Sequence, residues 1–478
     1  MRMLRRCYLI AVLLGLAAPC ACGAEPAADR VLVNGNILTV DASDSVAQAV
    51  AIGGGRIVGV GTNSEIETFM GPATDRIDLQ GRTVTPGLLD AHLHLSSGGL
   101  SRITEADLSF PLVKSVGDAG KMRGAIAAMA DELNRECMTG AKDPGIGYSL
   151  TYDPDGATAT WNAYREVLAA GDLSVRVFAL WRSPETLDEA RQLAARIAPF
   201  TRPMASTGDD RLISGGVKII ADGSGDARTA WMWQDWNRER TGLDQGNRGY
   251  PAIDAGVLRD LIMLYHDAGL NVGVHAVGDR AIDWTVAAMT VALIRNPRQG
   301  MRHSIIHASI PTDLALDTIA ALQQNFDAGY PEPQANFTWW VGDTYAGNFG
   351  VQRSRRLNPF RSFQRRGIQW AGGSDYSATP FPARYGIWSS MVRQPLLGFY
   401  GNDTFGSDEA IDVRTALRSF TLWAAHQMFL EKKVGSIEVG KYADLAVWDT
   451  DLYTAEPGAI KNMQCQMTLL EGEIVYRR

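Results

Sequence analysis

Between residues 86 and 430 short apolar runs alternate with amphipathic helical stretches, and no other feature of the chain narrows its choice of fold so far. The runs at 175–181, 216–221, 271–276 and 304–310 have the β-branched, apolar character of buried strands. The stretches at 118–135, 254–267, 280–294 and 312–324 repeat apolar residues at helical spacing, and Gly269 closes the second. A strand, a crossover helix and a strand form a parallel pair, so the pattern predicts an α/β fold whose parallel sheet is covered by helices. Sustained over roughly 340 residues, it fits a (β/α)8 barrel of the TIM type, with insertions, better than an open doubly wound sheet, because no Gly-x-Gly-x-x-Gly turn follows an early strand.

The two ends have a different texture. Residues 31–40 and 49–60 are β-rich and broken by Gly and Asn turns, while 443–448 and 467–476 read as a strand followed by strand-turn-strand. Such segments make one small β-sandwich if the chain returns to its start. The expected organisation is therefore 25–85 and 431–478 as the two parts of a sandwich around a barrel at 86–430. Residues 1–24 read as an export signal: Arg2, Arg5 and Arg6 precede the apolar run 8–18, followed by Pro19 and small residues to Ala24. Arg5-Arg6 also has a twin-arginine look. The run is short of the about 20 residues that a membrane span needs, so cleavage near Gly23 or Ala24 and a soluble periplasmic or secreted protein are expected. Lipid anchoring is disfavoured, since neither Cys20 nor Cys22 follows a Leu-x-small triplet.

The formal charge of -7, which becomes more negative once the three leader arginines are removed, comes with no dense Lys/Arg block. That excludes the electrostatic footprint of a nucleic-acid binder and leaves a small-molecule substrate as the expected partner. Monomer and homo-oligomer both stay open. Outside the leader only Cys137 and Cys465 remain, either as free thiols or as one disulfide. Their separation is not that of a thiolate metal site, so any metal must be held by nitrogen and oxygen.

Such ligands are visible. Of seven histidines, His92 and His94 stand one residue apart at the end of the apolar run Gly87-Leu88-Leu89-Asp90-Ala91, where alternate strand residues share a face and both imidazoles can reach one ion. Lys218 lies inside the apolar strand Val217-Lys218-Ile219-Ile220, where a bare ammonium is costly. It either snorkels, pairs with an acid, or is carboxylated by carbon dioxide into an anionic bridge between two ions. His275 and His307 each end an apolar run, one βα unit apart. Asp375 closes Trp370-Ala371-Gly372-Gly373-Ser374 and could bind metal, act as a base or cap a helix. Strand C-termini of a barrel converge on one cavity, so the six together predict a site for Zn²⁺ or a similar divalent metal.

These motifs resemble the amidohydrolase superfamily, specifically amidohydrolase family 3 with its N-substituted formamide deformylase-like enzymes. The resemblance rests on Thr85-Pro86-Gly87-Leu88-Leu89-Asp90-Ala91-His92-Leu93-His94, on Val217-Lys218-Ile219-Ile220-Ala221-Asp222-Gly223-Ser224 and on His275-Ala276-Val277-Gly278-Asp279-Arg280-Ala281. Gly373-Ser374-Asp375 and Gly435-Ser436-Ile437-Glu438-Val439-Gly440-Lys441-Tyr442-Ala443-Asp444-Leu445 complete it, so that it runs from about Val31 to the C-terminus. It implies a metal-dependent hydrolase with one or two ions: His92 and His94 on the more buried one, His275 and His307 on the second, N-carboxylated Lys218 as bridge, and Asp375 as metal ligand and base. Two departures stand out. Members of the family tend to carry Glu directly before the second lone histidine, where this chain has Ile306, and the segment around 156–177 is shortened.

The implied reaction is hydrolysis of a C–N bond in an amide, formamide or cyclic amide, with Asp375 as general base and then acid. Arg228 could anchor a substrate carboxylate or sit on the surface, and Trp339-Trp340 could wall an aromatic pocket or pack in the core. The same site could instead hydrolyse an ester, lactone or phosphotriester, and a third reading is an exported metal-binding protein without turnover.

Overall fold

The computed structural model describes residues 27–103, 119–147, 152–201, 210–237 and 244–478. The expected leader, 1–24, lies outside the described residues.

Seven short strands open the chain: β1 (Arg30–Val33), β2 (Asn36–Leu38), β3 (Val46–Ala47), β4 (Ala49–Gly53), β5 (Arg56–Gly61), β6 (Asp75–Asp78) and β7 (Thr83–Pro86). Strand alternation divides β1 and β4 between two faces. Leu32, Val50 and Ile52 point into one apolar cluster, whereas Val31, Val33, Ala49 and Ala51 pack with Ile66 of the helix Asn63–Glu67. Seven parallel-sheet strands follow, β8 (Leu88–Asp90), β9 (Met138–Ile146), β10 (Arg176–Arg182), β11 (Leu212–Ile220), β12 (Asn271–Ala276), β13 (Ser304–His307) and β14 (Tyr330–Glu332). The chain ends with β15 (Leu445–Trp448), β16 (Cys465–Leu470) and β17 (Glu473–Arg477).

One terminal sheet runs β5-β4-β1-β6; the other, β17-β16-β15-β7-β2-β3, contains strands from both ends of the chain. The junction is the antiparallel pair β7–β15, with Val84 opposite Val447. Between the two sheets Leu32, Ile37, Val50, Ile57 and Val84 meet Leu445, Val447, Met467 and Leu469. Cys137, just before β9, and Cys465, at the start of β16, form a disulfide with their Cα atoms 5.4 Å apart, which decides the alternative that the sequence leaves open.

The central sheet is parallel throughout, in the order β14-β13-β12-β11-β10-β9-β8. Helices connect its strands, and local chemistry sets their ends. Asp254 caps the helix Ala255–Asp267 through the N–H groups of Gly256 and Val257, and Thr312 caps Asp313–Phe326 through Ala315 N–H. The run expected over 304–310 stops at His307, where the backbone turns into the left-handed region (φ 71°). Alternate residues of the sheet, Leu89, Phe178, Leu180, Ile213 and Ile306, fill one apolar core with Ala371. Seven strands of the expected eight are regular among the described residues. The segment 371–375 is irregular but hydrogen-bonds both edges: Ala371 N–H donates to Pro331 O, and Ala91 N–H donates to Gly372 O. Its glycines permit this approach, since a Cβ on Gly373 would lie 2.7 Å from Cβ of His92. No helix among the described residues is long and apolar enough to cross a membrane.

Candidate metal centre

Parallel strands deliver their C-terminal ends to one side of the sheet, and the candidate ligands sit on or just beyond those ends. His92 and His94 follow β8, Lys218 is near the end of β11, His275 is in β12 and His307 ends β13. Asp375 follows the irregular segment and is tied to the β8 end by its own N–H, which donates to His92 O at 2.7 Å.

The structure brings five of the six into direct contact. One carboxylate oxygen of Asp375 lies 3.2 Å from His92 Nε2 and 3.4 Å from His94 Nε2. His92, His307 and Asp375 each present a ligand atom within 4.8 Å of the others. His307 Nε2 is 2.9 Å from His275 Nδ1. Lys218 is 2 % exposed, and its charge is felt at His94, His275 and His307. His307 (φ 71°) and Asp375 (φ 55°) are both non-glycine residues in the left-handed region, a cost of roughly 1–2 kcal/mol each.

Hydrogen-bond roles test whether a cation fits. His275 Nε2 faces Gly223 O at 2.9 Å and must donate. His307 Nδ1 faces Gln334 Oε1 at 2.6 Å; the amide nitrogen of Gln334 is anchored on Glu332 O, so His307 Nδ1 must donate too. In the neutral rings His275 Nδ1 and His307 Nε2 therefore both carry lone pairs, and they face each other. Neither nitrogen of the fully buried His92 has a hydrogen-bond partner. Two converging lone pairs and a buried imidazole that makes no hydrogen bond beside a carboxylate suit a divalent cation.

The electrostatics agree. Burial pushes His275 down to about 3, with the Lys218 charge adding to it, and His307 is held well below the ordinary imidazole value by burial and by His275. Both are thus neutral, as ligands must be. Burial alone would raise Asp375, but His92, His94 and His307 outweigh it and hold its carboxyl well below the usual range. Burial brings Lys218 down to about 8.

Several participants escaped the sequence reading. Asp90 accepts from the N–H groups of His92 and Ser374, and Asp222 accepts from those of Trp231, Val277 and Gly278. Burial raises both carboxyls to about 7. Their positions, two residues before His92 and two after the end of β11, were visible signals. Gln334 supports His307, while Ile306, which stands where the resemblance implies a carboxylate, packs in the apolar core. Phe337 stacks on His307 with centroids 6.0 Å apart. Arg228 instead pairs with Asp244 at 2.7 Å and Asn237 at 2.5 Å. Trp339 is buried against Tyr385 and Trp388, and Trp340 is 44 % exposed. Among the described residues, no hydrogen bond, ion pair or ring contact joins these three to the cluster.

The model of the amidohydrolase family matches residues 118–476. The chain is 24% identical to an N-substituted formamide deformylase of Arthrobacter pascens, an alignment covering 94% of this chain and 98% of the relative. Among solved structures, an uncharacterized metal-dependent hydrolase from Pyrococcus horikoshii OT3 superposes with a TM-score of 0.70 at 18% identity, covering 90% of this chain and 99% of that one. An adenosine deaminase from Xanthomonas campestris with bound zinc does so with a TM-score of 0.62 at 15% identity, covering 94% and 93%. The structural likenesses establish a common fold; with a family match spanning most of its length, this chain belongs to the amidohydrolase family.

Proposed function

We propose that the chain is an exported metal-dependent amidohydrolase that cleaves the C–N bond of a small amide, formamide or cyclic amide. The observation that carries this reading is the convergence of His92, His307 and Asp375, with both ring nitrogens of His92 buried and neither in a hydrogen bond. An all-nitrogen and oxygen donor set of this kind suits zinc. His92 and His94 would hold one ion, His275 and His307 a second if two are bound, and Asp375 would serve the first. Lys218, converted to an anionic carbamate by carbon dioxide with release of a proton, would add an oxygen donor to the same set; its apolar strand and its burial support that modification. Bound zinc supplies Lewis acidity, which eases deprotonation of water and attack on a carbonyl carbon.

The chain's own groups do the rest. Asp375, ionised beside three imidazoles, takes the proton of the attacking water as the new O–C bond forms. It returns that proton to the nitrogen as the C–N bond breaks. Gln334 holds His307 in the tautomer whose Nε2 lone pair faces the site. N-substituted formamides head the substrate list because of the similarity to a deformylase of that class. Export is supported by the Arg-led apolar N-terminus and by the disulfide, which persists in oxidising compartments.

The test is metal content together with hydrolysis of a panel of N-substituted formamides, amides, carbamates and esters. Asp375→Asn should lower kcat by about 10²–10⁴-fold. Full activity of that variant on every substrate found, or turnover confined to esters, refutes the assignment.

A further inference from the structure

Inside the barrel sheet lies a charge pair that this reaction does not use. Lys142 of β9 and Glu332 of β14 come from strands that are not neighbours, so their contact crosses the interior of the sheet. Lys142 is 1 % exposed and Glu332 0 %. The ammonium donates to Glu332 Oε1 and to Ser304 Oγ, the latter at 3.3 Å. A buried ion pair is weak evidence of stabilisation, since apolar residues of similar volume often serve as well, and the Leu, Phe and Ile residues of the same interior show that they could. The pair therefore calls for another account.

The second oxygen of Glu332 supplies it. Oε2 has no hydrogen-bond partner and lies 3.9 Å from Nδ1 of His92, which has none either. The other carboxylate beside His92, that of Asp90, is taken up by the backbone N–H groups of His92 and Ser374. His92 Nε2 points the opposite way, to Asp375. An imidazole that binds metal through Nε2 needs its Nδ1–H held by an acceptor, which sets the tautomer and aims the ring. We infer that Glu332, fixed in place by Lys142, is the positioning residue of His92, accepting the His92 Nδ1 proton when Nε2 engages a metal ion. This rests on reading His92 as a metal ligand. The small closure required is a ring rotation of His92 toward Oε2.

The experiment is competition for zinc against a chromophoric chelator, using the full chain as wild type, Lys142→Met/Glu332→Gln and Ser304→Ala. The double variant removes both charges, so no buried ion is left unpaired. It should bind zinc 10–100-fold more weakly, while Ser304→Ala, which removes a hydrogen-bond acceptor of Lys142 and leaves the Lys142–Glu332 pair in place, should stay within about twofold. Equal affinity of the double variant and wild type overturns the role of Glu332 and leaves the metal centre standing; no zinc uptake by wild type overturns both. Should the double variant not fold, ¹⁵N-histidine spectra of the zinc-loaded wild type decide the matter. The Nδ1 of His92, identified by its loss in His92→Asn, should carry a slowly exchanging, hydrogen-bonded proton. A His92 deprotonated at Nδ1, or one whose Nδ1 proton exchanges freely, overturns the inference.

Discussion

Removing the Cys137–Cys465 bridge should cost stability by an amount that the structure allows to be worked out. The two residues are separated by 328 positions, so the cross-link closes most of the chain into one loop. Loop-closure entropy for a ring of that size corresponds to about 6 kcal/mol at 25 °C, a ceiling because compact unfolded chains already lose part of that freedom. Native disulfides typically contribute about 2–5 kcal/mol, and a loss of about 3–5 kcal/mol is the expectation here. Both sulfurs are buried, Cys137 at 0% and Cys465 at 4%, so Cys137→Ala/Cys465→Ala keeps most of the apolar contacts and isolates the effect of the link. The bridge joins the entry to β9, which carries Lys142, to a sheet that contains both ends of the chain. The assay is urea unfolding of the wild type, the double variant and the wild type with reductant. The last two should share a lowered midpoint. Coincident midpoints of all three, or two free thiols on titrating the unreduced denatured chain, would refute the reasoning.

Three further outcomes are expected. Lys218→Ala should abolish activity and regain part of it with short carboxylic acids, and native mass spectrometry of the wild type should show the added mass of one carbon dioxide; an unmodified amine in the metal-loaded protein sinks the bridge. His303 is buried and bonded to His266 at 2.9 Å, and burial lowers it to about 3 against about 6.5 in an unfolded chain. A depressed folded value means that its contribution is full above about pH 6.5 and is lost as pH falls toward 3, so stability should drop by about 1.4 kcal/mol per pH unit for that one proton. His303→Gln should flatten the slope between pH 6 and 4, and an unchanged slope in urea titrations counts against this account. Finally, the protein recovered from the periplasm or medium should begin near Gly23 or Ala24 by intact mass; retention of residues 1–24 there would contradict the leader.

What the linear chain determined by itself is the set of residues whose meeting follows from position along a strand. His92, His94, Lys218, His275 and His307 could be read because a βα repeat sends every strand end to the same side, so being at such an end is enough to predict a meeting. The sharing of one sheet by the two chain ends was legible for a similar reason: β segments too small to bury a face alone need each other. Register and packing across the interior belong to the fold alone. Glu332 occupies a three-residue strand between two prolines, with no periodicity to mark it, and only the stacking of β14 across from β9 brings it to Lys142 and His92. Gln334, the facing lone pairs of His275 and His307, and the Cys137–Cys465 bridge likewise depend on distances between residues far apart in sequence. Arg228, Trp339 and Trp340 mark the opposite limit: side chains of suitable chemistry near the right motifs, directed by tertiary packing to Asp244, to Trp388 and to solvent. Strand-end chemistry is set by local period, whereas the partner across a sheet is set by which strands become neighbours, a property of the folded chain and of no single segment.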